Sequence, residues 1–375
     1  MRTLASANLS WEPLAWMSFM GNVSYDREDG QTRQYVAKGT PLGVGVVDPS
    51  DGSLSYSNLL NDAFNGEAQV SLRRDIGLLN IRTTVRGLVE RTSLQRSLAS
   101  GQDFLVGGVP SLDAATVKNS TSSKEEVRSL GYLWDTAFDY DGKYILTGLI
   151  RRDGSSLFGV DNRWHTYYRL AGAYRLAEEP WFNVPHVDEF KVSVARGTAG
   201  GRPTFDNQYE TWQVSQTGVS KGFLGNSELA PEHTSETEVS LEMILFGRLG
   251  VELTQSWSRT TDQLAEVNVP TFTGYTFQWK NGGAVEGNTT ELTVQASLYD
   301  RPDFGWTSMF VFDRSDATMV EWPFPCFRPS HRVWCEGENL YGVYGTRFLD
   351  SLEPLCAPYP TESVTYPDSP HHGGL

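Results

Sequence analysis

The run Glu236-Thr237-Glu238-Val239-Ser240-Leu241-Glu242-Met243, with its return Leu249-Gly250-Val251-Glu252-Leu253-Thr254-Gln255-Ser256-Trp257-Ser258, decides the fold. Glu236, Glu238, Ser240 and Glu242 alternate with Thr237, Val239, Leu241 and Met243. After a turn at Gly247-Arg248, Leu249, Val251, Leu253, Gln255 and Trp257 alternate with Glu252, Thr254, Ser256 and Ser258. Side chains on a strand point to opposite faces with a period of two, so each segment has one apolar face and one that carries carboxylates. The pair reads as a β-hairpin with a wet side and a dry side.

The same period runs through 290–298, where Leu292, Val294, Ala296 and Leu298 oppose Glu291, Thr293, Gln295 and Ser297, and 301–305 turns the chain back. A third pair, roughly 128–140 and 143–151, is joined by Asp141-Gly142, whose tolerance of positive φ suits a two-residue hairpin turn. Along the whole chain the pattern predicts about twelve strands, beginning near 2–10, 15–25, 66–74 and 79–90. Short turns alternate with long polar connections near 26–65, 92–127, 152–163, 198–234 and 260–289. The connection over 177–189 is the one longer link on the short-turn side. This asymmetry distinguishes a membrane β-barrel, with short turns at one rim and long loops at the other, from a soluble sandwich. Aromatic residues near strand ends, among them Trp16, Tyr25, Trp134, Tyr140, Tyr144, Trp164, Trp257 and Trp306, suit the two girdles of such a barrel. The expected fold is therefore all-β, an antiparallel transmembrane β-barrel.

Composition removes several alternatives. With 31 Lys+Arg against 46 Asp+Glu the net charge is −15, the wrong sign for a nucleic-acid binder, which must neutralise phosphates with clustered cations. No apolar run approaches the roughly 18 residues of a helical span. A mean hydropathy of −0.37 is compatible with a barrel, in which only every second strand residue meets lipid. The start of the chain lacks a charged region followed by an apolar core and a cleavage site, so no secretory signal is expected there. Cys326, Cys335 and Cys356 all fall in the last stretch, after the alternation ends. They read as incidental thiols, with a Cys326–Cys335 bridge as the alternative; a zinc site with His331 lacks ligand spacing and a fourth ligand. The division expected is a partial barrel over 1–314 and an irregular loop or truncated tail over 315–375, whose end is rich in Pro, Ser and Gly and contains His371-His372.

The stretch Tyr144-Ile145-Leu146-Thr147 through Arg151-Arg152-Asp153-Gly154-Ser155-Ser156-Leu157-Phe158-Gly159, with Asn162-Arg163-Trp164, resembles a motif of the SusC/RagA-like TonB-dependent outer-membrane transporters. The resemblance continues in order through 175–181, 190–200, Gly225-Asn226-Ser227-Glu228-Leu229-Ala230-Pro231-Glu232 and 281–292. It departs at Gly201, where the family often has Asn, and at Glu286, where Lys or Arg is common. The resemblance implies a bacterial outer-membrane location and a barrel of about 22 strands, of which this chain would supply about twelve, without the plug domain. An isolated part would leave two unpaired edges, which lipid does not tolerate, so the expectation is a fragment of the barrel. The resemblance further implies import of a glycan or peptide fragment, with a SusD-like surface lipoprotein and TonB as partners and outer-membrane lipid around the wall.

The polar strand faces supply the candidate site residues: Arg73, Arg82, Arg86, Asp135, Glu238, Glu252 and Glu291, expected to face the lumen and to contact a plug or polar solute. The bland reading is that they keep the lumen wet. Carboxylates such as Glu238 and Glu242 recur at even spacing on a strand face, which reads as solvated wall rather than a glycosidase acid–base pair. The histidines lack metal spacing and no Gly-x-Ser-x-Gly element is present, so no catalytic residues, cofactor or metal are expected. Two alternatives stand beside the importer: a soluble all-β carbohydrate-binding or hydrolytic domain, and a passive porin-like barrel. No internal repeat of about 40 residues supports the first.

Overall fold

A computed structural model describes residues 1–40, 51–215, 218–326 and 332–343, excluding the side chains of Val160 and Ser215. The strands are β1 (Arg2–Leu14), β2 (Met17–Val36), β3 (Ser53–Ile76), β4 (Leu79–Phe104), β5 (Ala115–Tyr140), β6 (Tyr144–Ser155), β7 (Trp164–Arg175) and β8 (Val187–Gly201). Then come the short β9 (Trp212–Ser215) and β10 (Gly218–Lys221), β11 (Glu232–Leu245), β12 (Leu249–Thr261), the short β13 (Leu264–Asn268) and β14 (Phe277–Asn281), β15 (Ala284–Arg301) and β16 (Phe304–Glu321). Twelve of them form one sheet in chain order, β1 to β8, β11, β12, β15 and β16, while β9–β10 and β13–β14 are separate two-stranded sheets. All registers described within the large sheet are antiparallel.

The alternation of connections is as the sequence indicates. Links 15–16, 77–78, 141–143, 246–248 and 302–303 are short, and those over 37–52, 105–114, 156–163, 202–231 and 262–283 are longer. Asp141 and Gly142 both have positive φ, 57° and 67°, as the hairpin turn requires, and Asp139 Oδ1 accepts the Gly142 N–H at 2.9 Å. Phe246 and Gly247 repeat the pattern at 56° and 63°. The longer link 176–186 docks on that second turn: Phe246 N–H donates to the His186 carbonyl at 2.8 Å and the two rings stack at 5.0 Å.

Several strands run well past their expected ends. β4 reaches Phe104 and β5 begins at Ala115, so most of the segment 92–127 read as a loop is paired strand. Likewise β2 extends to Val36, and β16 continues to Glu321, beyond the boundary set at 314. The cause is physical: beyond the lipid both faces meet water, so hydropathy stops alternating while the backbone ladder continues. Cys326 and Cys335 are joined as a disulfide, which replaces the incidental-thiol reading for that pair. Cys356, His331, His371 and His372, with the tail from 344 on, lie outside the described residues.

The chain divides into two compact units, the first comprising Met1–Ala173, Arg202–Pro231 and Asn268–Trp279, the second Tyr174–Gly201, Glu232–Val267 and Lys280–Leu375. In the first, register places Phe19, Val70, Val85, Trp134 and Ile150 on one cross-strand row, and Ile81, Phe138 and Leu146 on another, all on one face. Val85, Trp134 and Ile150 are 58%, 58% and 53% exposed, an apolar surface far too continuous for contact with water. Polar groups on this face satisfy one another: Thr83 and Thr136 hydroxyls lie 2.8 Å apart, and the Trp134 indole N–H donates to Thr83 Oγ1 at 2.9 Å. The band runs from Leu79 to Val89; at about 3.4 Å per residue and a tilt of about 40° it would be about 26 Å tall, the height of a bilayer core met by a barrel.

In the second unit the apolar face carries Val239, Leu241 and Met243 on β11, Val251 and Leu253 on β12, and Leu292 and Val294 on β15. Ala265, Val285, Met319 and Trp322 form a small core there, covered by Phe324, Trp334 and Leu340. Of these side chains, Trp334 lies between the two cysteines of the disulfide, and Gly337 N–H donates to the Met319 carbonyl at 2.7 Å.

An arginine placed at Val85, in the middle of the band, is expected to cost about 2–4 kcal/mol in urea unfolding from liposomes. The same change at Thr293, on the polar face of β15 and opposite Glu252, is expected to be nearly neutral. Equal costs at the two positions would mean that the apolar face does not meet lipid.

Candidate functional site

The seven candidate residues all lie on the face opposite the apolar one, in two separate groups. In the first unit Arg73 and Arg82 are direct cross-strand partners, a like-charge juxtaposition that water or a counter-charge must offset. Arg73 has Asp75 at 4.0 Å on its own strand. Arg86 donates from Nε and Nη2 to Gln69 Oε1, at 3.0 and 2.7 Å, and also meets Glu67 at 3.1 Å. Asp135 faces Thr84 across the ladder, and Arg151 joins the same face with its Nε 2.7 Å from Asp153. Arg73, Arg86 and Arg151 are thus each braced by a carboxylate or amide neighbour.

In the second unit Glu238, Glu252 and Glu291 sit among further carboxylates. Glu252 is the register partner of Glu242, and Glu291 is the partner of Asp313. One cation enters this group: Lys191 Nζ lies 2.7 Å from Glu242 Oε1. Ser193 and Ser240 hydroxyls meet in the next row at 2.5 Å. Sequence reading passed over Lys191 and Asp313, although strand parity counted from Glu189 and from Ser315 places both on the polar face. This face carries mostly carboxylates and hydroxyls.

The second component of the site is built from the long connections of the first unit. Gly159 packs directly on the backbone at Ser227: a Cβ there would come within 1.8 Å of the Ser227 carbonyl oxygen. Gly159 N–H donates to the Leu229 carbonyl at 3.3 Å and Asn162 Nδ2 to the Glu228 carbonyl at 2.9 Å. Leu229 is fully buried, with Leu157 and Phe158 also in the interior. Asn226 Nδ2 donates to the Trp279 carbonyl and Gln278 Nε2 to the Gly225 carbonyl, at 2.9 and 3.0 Å, which brings in the segment before β15. Residues singled out in separate motifs are therefore one interlocked structure. Above it β9 and β10 present Trp212, Val214 and Val219 to solvent.

The two departures at Gly201 and Glu286 have local partners. A Cβ at Gly201 would approach the Glu232 carboxylate to 2.7 Å, and Glu286 accepts from Arg259, its register partner on β12.

Residues 2–325 match the family model described as TonB dependent receptor-like, beta-barrel. TonB-dependent receptor P26 of Formosa agariphila is 24% identical over 346 residues, covering 85% of this chain and 34% of its own length. TonB-dependent receptor SusC of Bacteroides thetaiotaomicron is 25% identical over 51% of this chain and 21% of its own length. Among solved structures, that of the RagAB peptide transporter superposes with a TM-score of 0.78 at 17% identity, covering 89% of this chain and 39% of the other. The outer membrane transporter YddB from Escherichia coli gives a TM-score of 0.60 at 10% identity, over 84% and 42% respectively. The chain spans about a third of the length of P26, which is 34% covered.

Removing the cation from the acidic face tests its electrostatics. Lys191→Met is expected to destabilise the sheet by about 0.5–1 kcal/mol in urea unfolding, since Glu242 is then left facing Glu252. Adding Glu252→Gln is expected to recover most of that loss, and additive effects of the two changes would show that the three groups do not interact.

Proposed function

The chain belongs to the TonB-dependent receptor-like β-barrel family of the bacterial outer membrane, and from that membership we propose that it forms part of the wall and outer loops of an energised importer. The observation that carries this reading is the division of one antiparallel sheet into an apolar band and a charged face, with interlocked loops on the long-connection side. In this reading Arg73, Arg82, Arg86, Asp135, Glu238, Glu252 and Glu291 line the lumen. Their role is to keep it hydrated and to offer hydrogen bonds to a plug or a moving solute rather than to carry out chemistry.

The cargo is a glycan or peptide fragment, too large for diffusion through a narrow pore. Support for this class comes from the motif resemblance to SusC/RagA-like transporters and from the likeness to a peptide transporter. The loops over 156–163 and 202–231 and the exposed hairpin β9–β10 would be the surface met by cargo and by a SusD-like lipoprotein. TonB would act on a plug elsewhere in the full-length protein. Against a passive porin-like barrel stands the family membership itself; against a soluble β domain stands the continuous exposed apolar band.

The deciding experiment places the full-length protein in cells deleted for it and follows uptake of fluorescent oligosaccharide and peptide mixtures. Uptake is expected to require the protein and to stop when TonB is removed. Protein-dependent uptake that continues without TonB would overturn the energised reading in favour of a passive barrel.

A further inference from the structure

At the upper edge of the apolar band in the first unit, the outward face changes character within one row. Val89 pairs with Gly66 and Leu130, and Leu130 with Gly154, so two positions of this row have no side chain. The next row away from the short turns reads Tyr25, Phe64, Arg91 and Arg128. Val89 leans over Gly66 and the Trp164 ring over Gly154, and beside them lies a depression of about 790 Å³. Val89 and Leu130 give it an apolar floor, Trp164 closes one side, and Arg91, Arg128 and Arg163 line it together with Glu90, whose side chain register places on the opposite face of β4. Arg152, one row lower on the same face, reaches up to lie over the Trp164 ring at 5.8 Å.

Arg91 and Arg128 face each other directly across β4 and β5, an arrangement that is unfavourable without an intervening anion. Glu126 supplies one negative charge to both: Arg128 donates from Nε and Nη2 at 2.8 and 2.6 Å, and Arg91 Nε lies 3.0 Å away, all on Oε1. Each guanidinium has five N–H donors, so both retain donors beyond those given to Glu126. Two cations share one anion at headgroup height, and the hollow beside them opens downward onto hydrocarbon-facing residues.

We propose that this outward depression binds a phosphorylated glycolipid of the outer leaflet. The phosphate is held by Arg91 and Arg128, and an acyl chain descends over Val89 and Leu130 towards Val85 and Trp134. Planar guanidinium forks match phosphate oxygens in pairs, and the net positive charge of the rim complements the headgroup. Continuity with the apolar band selects a lipid over free phosphate, because a bare anion would leave the hollow unfilled. The site lies on the face opposite Arg73, Arg82 and Arg86, so it is separate from the proposed transport path; it rests only on the outer-membrane placement.

The test uses the full-length protein in detergent and native mass spectrometry with bisphosphorylated lipid A or the same lipid stripped of phosphate. The phosphorylated form is expected to bind about tenfold or more tightly than the stripped one. Arg91→Gln with Arg128→Gln is expected to abolish that difference, and Arg301→Gln, at the short-turn end of β15, to preserve it. Equal binding of the two lipids by the unaltered protein overturns the proposal, and does so even if the double variant fails to fold. Displacement of the lipid by an equal concentration of inorganic phosphate would identify a free-anion site and would also overturn it. Loss of uptake activity with lipid selectivity intact would count against the importer alone.

Discussion

Where no water is present, an unpaired backbone N–H or C=O costs several kcal/mol, and every other feature of this chain follows from meeting that condition. Antiparallel pairing in chain order satisfies the ladder of every strand between β1 and β16, and it needs mostly tight turns at one rim. The turns at Asp141-Gly142 and Phe246-Gly247 accept positive φ so that adjacent strands stay in register. Once the backbone is satisfied, the side chains are free to differ by face: hydrocarbon-compatible groups on one, ions and amides on the other. Even the exceptions obey the rule, since Thr83, Thr136 and Trp134 on the apolar face bond to one another.

The two faces solve opposite electrostatic problems. On the polar face, like charges are tolerated opposite one another at Arg73–Arg82 and Glu242–Glu252 because solvent and neighbours such as Asp75 and Lys191 screen them. On the outward face above the apolar band, Arg91 and Arg128 are brought together by a shared carboxylate at Glu126. Charge is placed where water, or a headgroup layer, can solvate it.

The hairpins around 141–142 and 247–248 were legible because lipid on one side and water on the other impose a period of two. That signal reports contact with lipid, not pairing, so it vanished near residue 90 although β4 continues to Phe104. Parity alone identified the faces of Arg86, Asp135 and Glu238. It gave no access to register, and so the pairs Glu291–Asp313 and Arg91–Arg128 were out of reach. The motifs at 151–159 and 225–232 were recognisable as strings, but their reason is a backbone contact between Gly159 and Ser227 that no local pattern encodes. The Cys326–Cys335 bond was one of two open readings, since spacing alone does not choose between a bridge and free thiols.

The contact of Gly159 with Ser227 also sets a schedule. Between those two residues the chain must lay down all of β7 and β8, so the 156–163 connection remains unfinished until the segment carrying Ser227 returns to it. A link that closes so late is entropically expensive to form and slow to find. The expected order of assembly at this rim is therefore from the short turns outward, with the strands paired before the loops close. The contact is also selective: the Ser227 backbone leaves no room for a Cβ at Gly159, so a slip of one register position would bring a residue with a side chain to that point and break the fit.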